Sequence, residues 1–219
     1  LVDADPQANA TSGLGIEVDA VEKGSYQVLE HTITAKEAIV ATNSPNLNLI
    51  PAHIDLVAIE IELVDKTHRE MMLRKALDPI KDDYDYIFID CAPSLGLITL
   101  NALTAAHSVI IPIQCEYFAL EGLGKLLNTI KSIQKIHNVA LGIEGMLLTM
   151  YDSRLRLSNQ VVDEVKKHFG NMVFSTIIQR NVKLGEAPSF GETIIDYDAT
   201  SKGASSYLKL AQELINKKK

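Results

Sequence analysis

The chain of 219 residues is 47% apolar and 22% charged, proportions that fit one folded α/β domain and exclude a disordered polymer. Two cysteines, Cys91 and Cys115, exclude a disulfide framework or a thiolate metal cluster; no apolar run approaches the roughly 18 residues of a membrane span and no basic leader precedes one, so a soluble, reduced, cytosolic chain is expected. The net charge of −7 excludes a uniformly basic binder of nucleic acid, yet residues 150–219 hold 11 Lys and Arg against 8 Asp and Glu, so that third either attracts an anionic polymer or is an ordinary solvated basic face.

Apolar runs bounded by turn residues alternate with helical patterns, as in a parallel sheet covered on both faces. Strands are predicted over residues 1–3, 47–51, 86–90, 108–113, 145–150 and 173–176. Thr34 with Glu37 predicts a capping box that opens a short helix, Asp55 precedes a second apolar helix, and residues 69–80 form a third. Leu120, Leu123, Leu127, Ile130 and Ile133 step at helical spacing, as do Leu157, Val161, Val165 and Phe169, so each helix is expected to bury one stripe. Residues 201–219 place Tyr207, Leu208, Ala211, Leu214 and Ile215 on one face ahead of Lys217, Lys218 and Lys219, the pattern of a core-packing helix whose lysines complement its dipole.

The chemistry begins where the first strand ends. Asp3 and Asp5 alternate along an extended backbone, which directs both carboxylates to one side at the strand ends where α/β proteins hold ligands; together they could serve one metal or water. Taken alone, Asp-x-Asp-Pro is also an ordinary turn. Asp90 ends an aromatic and β-branched run and is followed by Cys91-Ala92-Pro93, which fits either a carboxylate delivered to a hard cation or a residue capping the next turn. The six histidines lack ligand spacing to one another or to cysteine, and no Gly-x-Ser-x-Gly elbow supports a hydrolase triad.

Four segments in order, Val2 to Gly15, Tyr84 to Gly96, Cys115 to Gly122 and Arg180 to Ser189, resemble the ParA/Soj partition ATPases over nearly the whole chain. The resemblance implies a P-loop NTPase-like, doubly wound, mainly parallel sheet with helices on both faces, and one ATPase domain over residues 1–219. Family members open with a strand, a Lys-Gly-Gly-Val-Gly-Lys-Thr loop and a helix. That unit is expected to be lacking here, so the chain as given is expected to bind ATP poorly and to be inactive. The resemblance implies that Asp5 activates the attacking water, that Asp3 supports the metal and the phosphate loop, and that Pro6 and Gln7 begin the first switch. It implies Asp90 as the Mg²⁺ ligand, Pro93 in the second switch, and Met150, Gln179, Arg180 and Asn181 around the adenine, although most relatives carry Pro where Gln179 stands. Glu116 and Tyr117 match residues near a nucleotide-sandwich dimer face.

The resemblance further implies ATP and Mg²⁺ as cofactors, an ATP-bound homodimer, a ParB-type centromere-binding partner that stimulates hydrolysis, and a cytoplasmic, nucleoid-associated bacterial protein without membrane attachment. Arg154 and Lys183 match the family's DNA-contacting cations, with Arg156, Lys166, Lys167 and Lys202 as weaker neighbours. Flexible cations without base-reading partners bind phosphates irrespective of sequence, so nonspecific DNA is the expected ligand. Rival readings are a MinD-type membrane-associated division-site regulator, a non-hydrolysing adaptor that keeps the fold, and, more distantly, a Rossmann dehydrogenase, for which no Gly-x-Gly-x-x-Gly follows a strand.

Overall fold

The computed structural model describes residues 1–94, 96–116 and 119–217; Leu95, Tyr117, Phe118, Lys218 and Lys219 lie outside the described residues, as do the side chains of Ala119, Leu120 and Glu121. The second-switch reading at Leu95, the dimer-face reading at Tyr117, the stripe position Leu120 and the terminal lysines fall on these. The chain divides into two compact units, one of Leu1–His107, Ile133–Leu141 and Pro188–Thr193, the other of Ser108–Ser132, Gly142–Ala187 and Ile194–Lys219.

In the first unit the strand β1 (Val2–Ala4) is followed by the helices α1 (Asn9–Gly13), α2 (Ser25–Glu30) and α3 (Ala35–Ala38), the short strands β2 (Val40–Ala41) and β3 (Asn48–Leu49), the helices α4 (Ile59–Glu62) and α5 (Met72–Leu77), the strand β4 (Ile89–Cys91) and the helix α6 (Leu97–Ala105). β1 runs parallel to β4 with Val2 opposite Ile89, Asp3 opposite Asp90 and Ala4 opposite Cys91, while Ile50 bridges Val2 on its other side. β1 is therefore central and apolar throughout except at Asp3, and Val2 and Ala4 pack into a core with Val28, Leu29, Leu56, Ile59, Leu73, Ile98 and Ala102. The predicted capping box forms: the Glu37 amide donates to Thr34 Oγ1 and the Thr34 amide to Glu37 Oε2 at 2.8 Å.

Two predicted strands shift. The expected strand at 47–51 is reduced to Asn48–Leu49, antiparallel to β2, plus the Ile50 bridge, because Pro51 has no amide to extend a ladder. The one at 86–90 occupies Ile89–Cys91, preceded by a single ladder bond from the Val2 amide to the Phe88 carbonyl. The second apolar helix starts as a 3-10 turn, Ile54–Ala58, capped by His53 Nδ1, which accepts from the Asp55 amide at 3.3 Å, so Asp55 lies inside the turn it was expected to precede.

The second unit holds β5 (Ser108–Gln114), α7 (Ala119–Ile136), β6 (Gly142–Thr149), α8 (Arg156–Phe169), α9 (Val182–Glu186), α10 (Ile194–Asp198) and α11 (Lys202–Lys217), with α7 ending among the residues of the first unit. β5 and β6 pair in parallel from Ser108 opposite Gly142 to Gln114 opposite Thr149, with one irregularity after Val109. The predicted strand at 173–176 contributes only the Val173–Met146 bridge, because the Ser175 and Thr176 amides donate instead to the Glu213 carboxylate at 2.7 and 3.0 Å. On α8 the buried stripe is Ser158, Val161, Val162 and Val165, and Leu157 is exposed. On α11 Ala204 and Leu210 are buried and Leu214 packs on the cluster of Leu147, Phe174 and Ile178, whereas Tyr207, Leu208 and Ile215 of the predicted stripe are exposed. Among the described residues no helix is long and apolar enough to cross a membrane.

Candidate functional site

Parallel register sets Asp3 beside Asp90 at adjacent strand ends of the first unit, and Asp5 follows two residues beyond. Their surroundings differ. Asp3 is fully buried, with Oδ2 accepting from the Thr11 amide at 2.8 Å and from Thr11 Oγ1 at 2.7 Å, and Oδ1 accepting from the Asp5 amide at 3.2 Å. Thr11 Oγ1 in turn accepts from the Ala52 amide at 2.9 Å, and Ser25 Oγ donates to the Asp3 carbonyl. The buried carboxylate is thus satisfied by neutral donors and fixes the loop that follows β1, as a buried charge requires.

Asp5 makes the turn that its sequence suggests. Its Oδ1 accepts from the Gln7 amide at 3.0 Å and its carbonyl from the Ala8 amide at 2.9 Å, with Ala8 itself in the left-handed region at φ 52°. Gln7 is exposed and Pro6 half-buried. Asp90 stands at the exposed strand end, where desolvation and then the negative charges of Asp3 and Asp5 push its carboxyl above the ordinary carboxylate range. Burial, with Asp90 and Asp5 adding, pushes the Cys91 thiol up to about 11. Crowded carboxylates of this kind suit a divalent cation, which removes the repulsion. Among the described residues no three His, Cys, Asp or Glu side chains form a metal cage. Mg²⁺ needs none, since it takes one or two carboxylates and completes its shell with phosphate and water.

The loop after Asp90 leads through exposed Pro93 into α6, and α6 is tied down along its length. Glu60 on α4 reaches its first turn: Oε2 accepts from the Leu97 amide at 2.8 Å and Oε1 from the Ile98 amide at 3.1 Å. A carboxylate there satisfies two orphan amides and faces the positive end of the helix dipole. Gly96 lies directly against this carboxylate, where any Cβ would overlap Glu60 Oε1. Thr99 Oγ1 donates to the Ala92 carbonyl at 3.0 Å, and Asn138 Nδ2 donates to the carbonyls of Leu103, Thr104 and Ala106 at the other end.

In the second unit, Tyr151 bridges Gln179 in parallel, with the Arg180 amide donating to the Tyr151 carbonyl at 2.9 Å, so Met150, Gln179, Arg180 and Asn181 gather at one strand end. Met150 holds φ 55° there. Asn181 Oδ1 accepts from the Lys183 amide at 2.8 Å and caps α9, and Arg180 pairs with Glu116 at 2.6 Å. Arg154 forks onto Asp152, Nε to Oδ1 at 2.9 Å and Nη2 to Oδ2 at 2.7 Å, and holds that carboxyl down to about 2. Lys183 pairs with Glu186 at 2.7 Å, lies over the Tyr197 ring, and is raised by that partner. Arg156 and Lys202 are exposed and carry no ion pair among the described residues.

Sequence reasoning missed Thr11, Ser25 and Glu60. In the sequence Thr11 lies in the stretch after β1 and Ser25 in no motif, and the Glu60 partners lie 37 and 38 positions away. The one available signal was a carboxylate inside an otherwise apolar run.

A family model described as an AAA domain matches residues 1–143. Over 214 residues the chain is 56% identical to the sporulation initiation inhibitor protein Soj of Bacillus subtilis (strain 168), covering 98% of this chain and 85% of that protein. It is 51% identical over 217 residues to the chromosome partitioning protein ParA of Myxococcus xanthus (strain DK1622), covering 99% and 77%. Among solved structures, cobyrinic acid a,c-diamide synthase from Mycobacterium smegmatis with bound ADP and magnesium superposes with a TM-score of 0.84 at 37% identity, covering 98% of this chain and 80% of that one.

Proposed function

The chain belongs to the ParA/Soj family of chromosome-partitioning ATPases, and from that premise we propose that its carboxylate-bearing strand ends are the hydrolytic site. It has the P-loop NTPase-like α/β fold, with parallel strand pairings and helices, and its function is ATP-dependent DNA partitioning. Identities of 56% to Soj and 51% to the chromosome partitioning protein ParA, against 37% to the synthase, favour this function over the synthase reading. The observation that carries the site is the register that sets Asp3 beside Asp90, with Asp5 just beyond.

Phosphoryl transfer is mainly positioning and charge stabilisation. Asp5, held in its turn by the Gln7 amide, is the group to orient and deprotonate the attacking water. Asp90 is the side chain to hold Mg²⁺, which when bound neutralises phosphate charge. Asp3, whose oxygens are committed to Thr11 and the Asp5 amide, positions the loop that carries Asp5 and leaves ligation to Asp90. Pro6, Gln7 and Pro93 line the switches, and Met150, Gln179, Arg180 and Asn181 form the adenine loop. Residues 1–219 act as one ATPase domain. No Gly-Lys-Thr phosphate loop occurs among them, so a polypeptide of these residues alone binds MgATP weakly.

The ATP-bound homodimer coats DNA through Arg154, Lys183, Arg156 and Lys202, a ParB-type adaptor stimulates hydrolysis, and the protein works in the cytoplasm at the nucleoid. In the pairs Arg154–Asp152 and Lys183–Glu186 the cation is exposed or half-exposed, so it can exchange its carboxylate for a phosphate. The test is a salt titration of DNA binding with ATP, on full-length protein. Arg154→Glu and Lys183→Glu should each lower affinity and flatten the slope by about one. Unchanged affinity and slope in both would place the DNA face elsewhere.

A further inference from the structure

Thr11 lies on α1 and is fully buried. Its hydroxyl is used in both directions. Oγ1 donates to Asp3 Oδ2 at 2.7 Å, since an ionised carboxylate only accepts, and the same oxygen accepts from the Ala52 amide at 2.9 Å, since an amide only donates. The Thr11 amide adds a second bond to Asp3 Oδ2 at 2.8 Å. A side chain that fills this place has to give one proton and receive another, which a hydroxyl does and a valine of the same shape does not.

These bonds are links of a closed ring. β1 ends at Ala4, and the next amide, that of Asp5, donates to Asp3 Oδ1 at 3.2 Å. The Asp5 carbonyl accepts from the Ala8 amide at 2.9 Å, the Ala8 carbonyl accepts from the Ser12 amide at 3.0 Å as α1 begins, and Thr11, next to Ser12, returns to Asp3. Inside the ring Ala8 holds a left-handed φ of 52°, a conformation that a residue with a Cβ keeps where its surroundings over-determine it. The Asp5 carboxylate branches from the ring to the Gln7 amide.

We propose that Thr11 is a positioning residue of the hydrolytic reaction: its hydroxyl fixes the Asp3 carboxylate, which fixes the Asp5 backbone and with it the group that takes the proton of the attacking water. The proposal rests on the reading of Asp5 as that group. Thr11 itself touches no reacting atom. With the hydroxyl gone, Asp3 Oδ2 keeps only the amide bond, the Ala52 amide loses its acceptor and the ring can relax. A displacement of about 1 Å at a proton-transferring group costs on the order of a hundredfold in rate.

The test is phosphate release by full-length protein as a function of ATP concentration, well below the thermal midpoint of each variant. Thr11→Val should lower kcat at least about tenfold and leave KM for ATP within about twofold, while Thr11→Ser, which keeps the hydroxyl, should hold kcat within about threefold of wild type. Should Thr11→Val not fold, Thr11→Cys carries the same test, since a thiol fills the site with weaker bonds; its kcat should fall below that of Thr11→Ser. In an Asp5→Ala background the Thr11 substitution should bring no further loss, because a residue that acts through Asp5 has nothing left to position. Wild-type kcat in Thr11→Val, equal losses in the serine variant, or a full additional loss on top of Asp5→Ala each overturn the proposal and leave the hydrolytic site standing. Wild-type turnover in Asp5→Ala alone overturns that site, and the proposal with it.

Discussion

The charged groups of the two candidate sites, one in each unit, are held in opposite ways, although Glu213 in the second unit also accepts from distant amides. In the first, carboxylates are fixed by backbone and hydroxyl donors distant in sequence: Asp3 by Thr11, which also ties Ala52, and Glu60 by Leu97 and Ile98. In the second, cations are held by carboxylates two or three residues away, Arg154 by Asp152 and Lys183 by Glu186, on the surface; Arg180 with Glu116 is the long-range exception. A carboxylate bonded to buried amides cannot leave without orphaning them, whereas an exposed ion pair dissolves at little cost. The first arrangement suits groups that must stay within a fraction of an ångström of a reacting centre, the second cations that exchange partners.

The largest effect is expected at the first unit's open carboxylate. Asp5→Ala in full-length protein should lower the hydrolysis rate at least about a hundredfold while ATP-bound dimers accumulate, read by phosphate release and sedimentation. Wild-type turnover in this variant would break the comparison, since the rigid unit would then not be the catalytic one. Glu60→Ala should follow, destabilising the chain by about 1–3 kcal/mol through two unsatisfied amides, a fall in thermal midpoint of several degrees.

A smaller change of opposite sign is expected at Thr104. Among the described residues its buried hydroxyl has no hydrogen-bond partner, so Thr104→Val should raise stability by up to about 1 kcal/mol in urea titration.

The smallest effect sharpens the other side. Asp152 titrates near 2 because Arg154 bonds it, so the folded value is depressed and the pair's contribution is present above the ordinary 3.8 and lost as pH falls through 2. Arg154→Ala should return the Asp152 carboxyl, followed by NMR, toward 3.8 while moving the thermal midpoint less than Glu60→Ala does. A midpoint loss equal to that of Glu60→Ala would show that the surface pairs, too, are structural.

The sequence by itself determined the alternation of strand and helix, the strands at β1, β5 and β6, the capping box at Thr34, the stripe centred on Val161 and Val165, and the family through motifs spread along the chain. These are local patterns, and local patterns depend on spacing alone. Only the tertiary structure decided which carboxylate is bonded to what. It assigned Asp3 to Thr11, gave the amides of Ser175 and Thr176 to Glu213 where a strand was expected, turned Leu157 and Tyr207 outward, and brought Glu60 to α6. Each of these outcomes depends on a donor or a packing partner supplied by another element, and a backbone amide carries no side-chain identity by which the sequence could announce that it is free to donate.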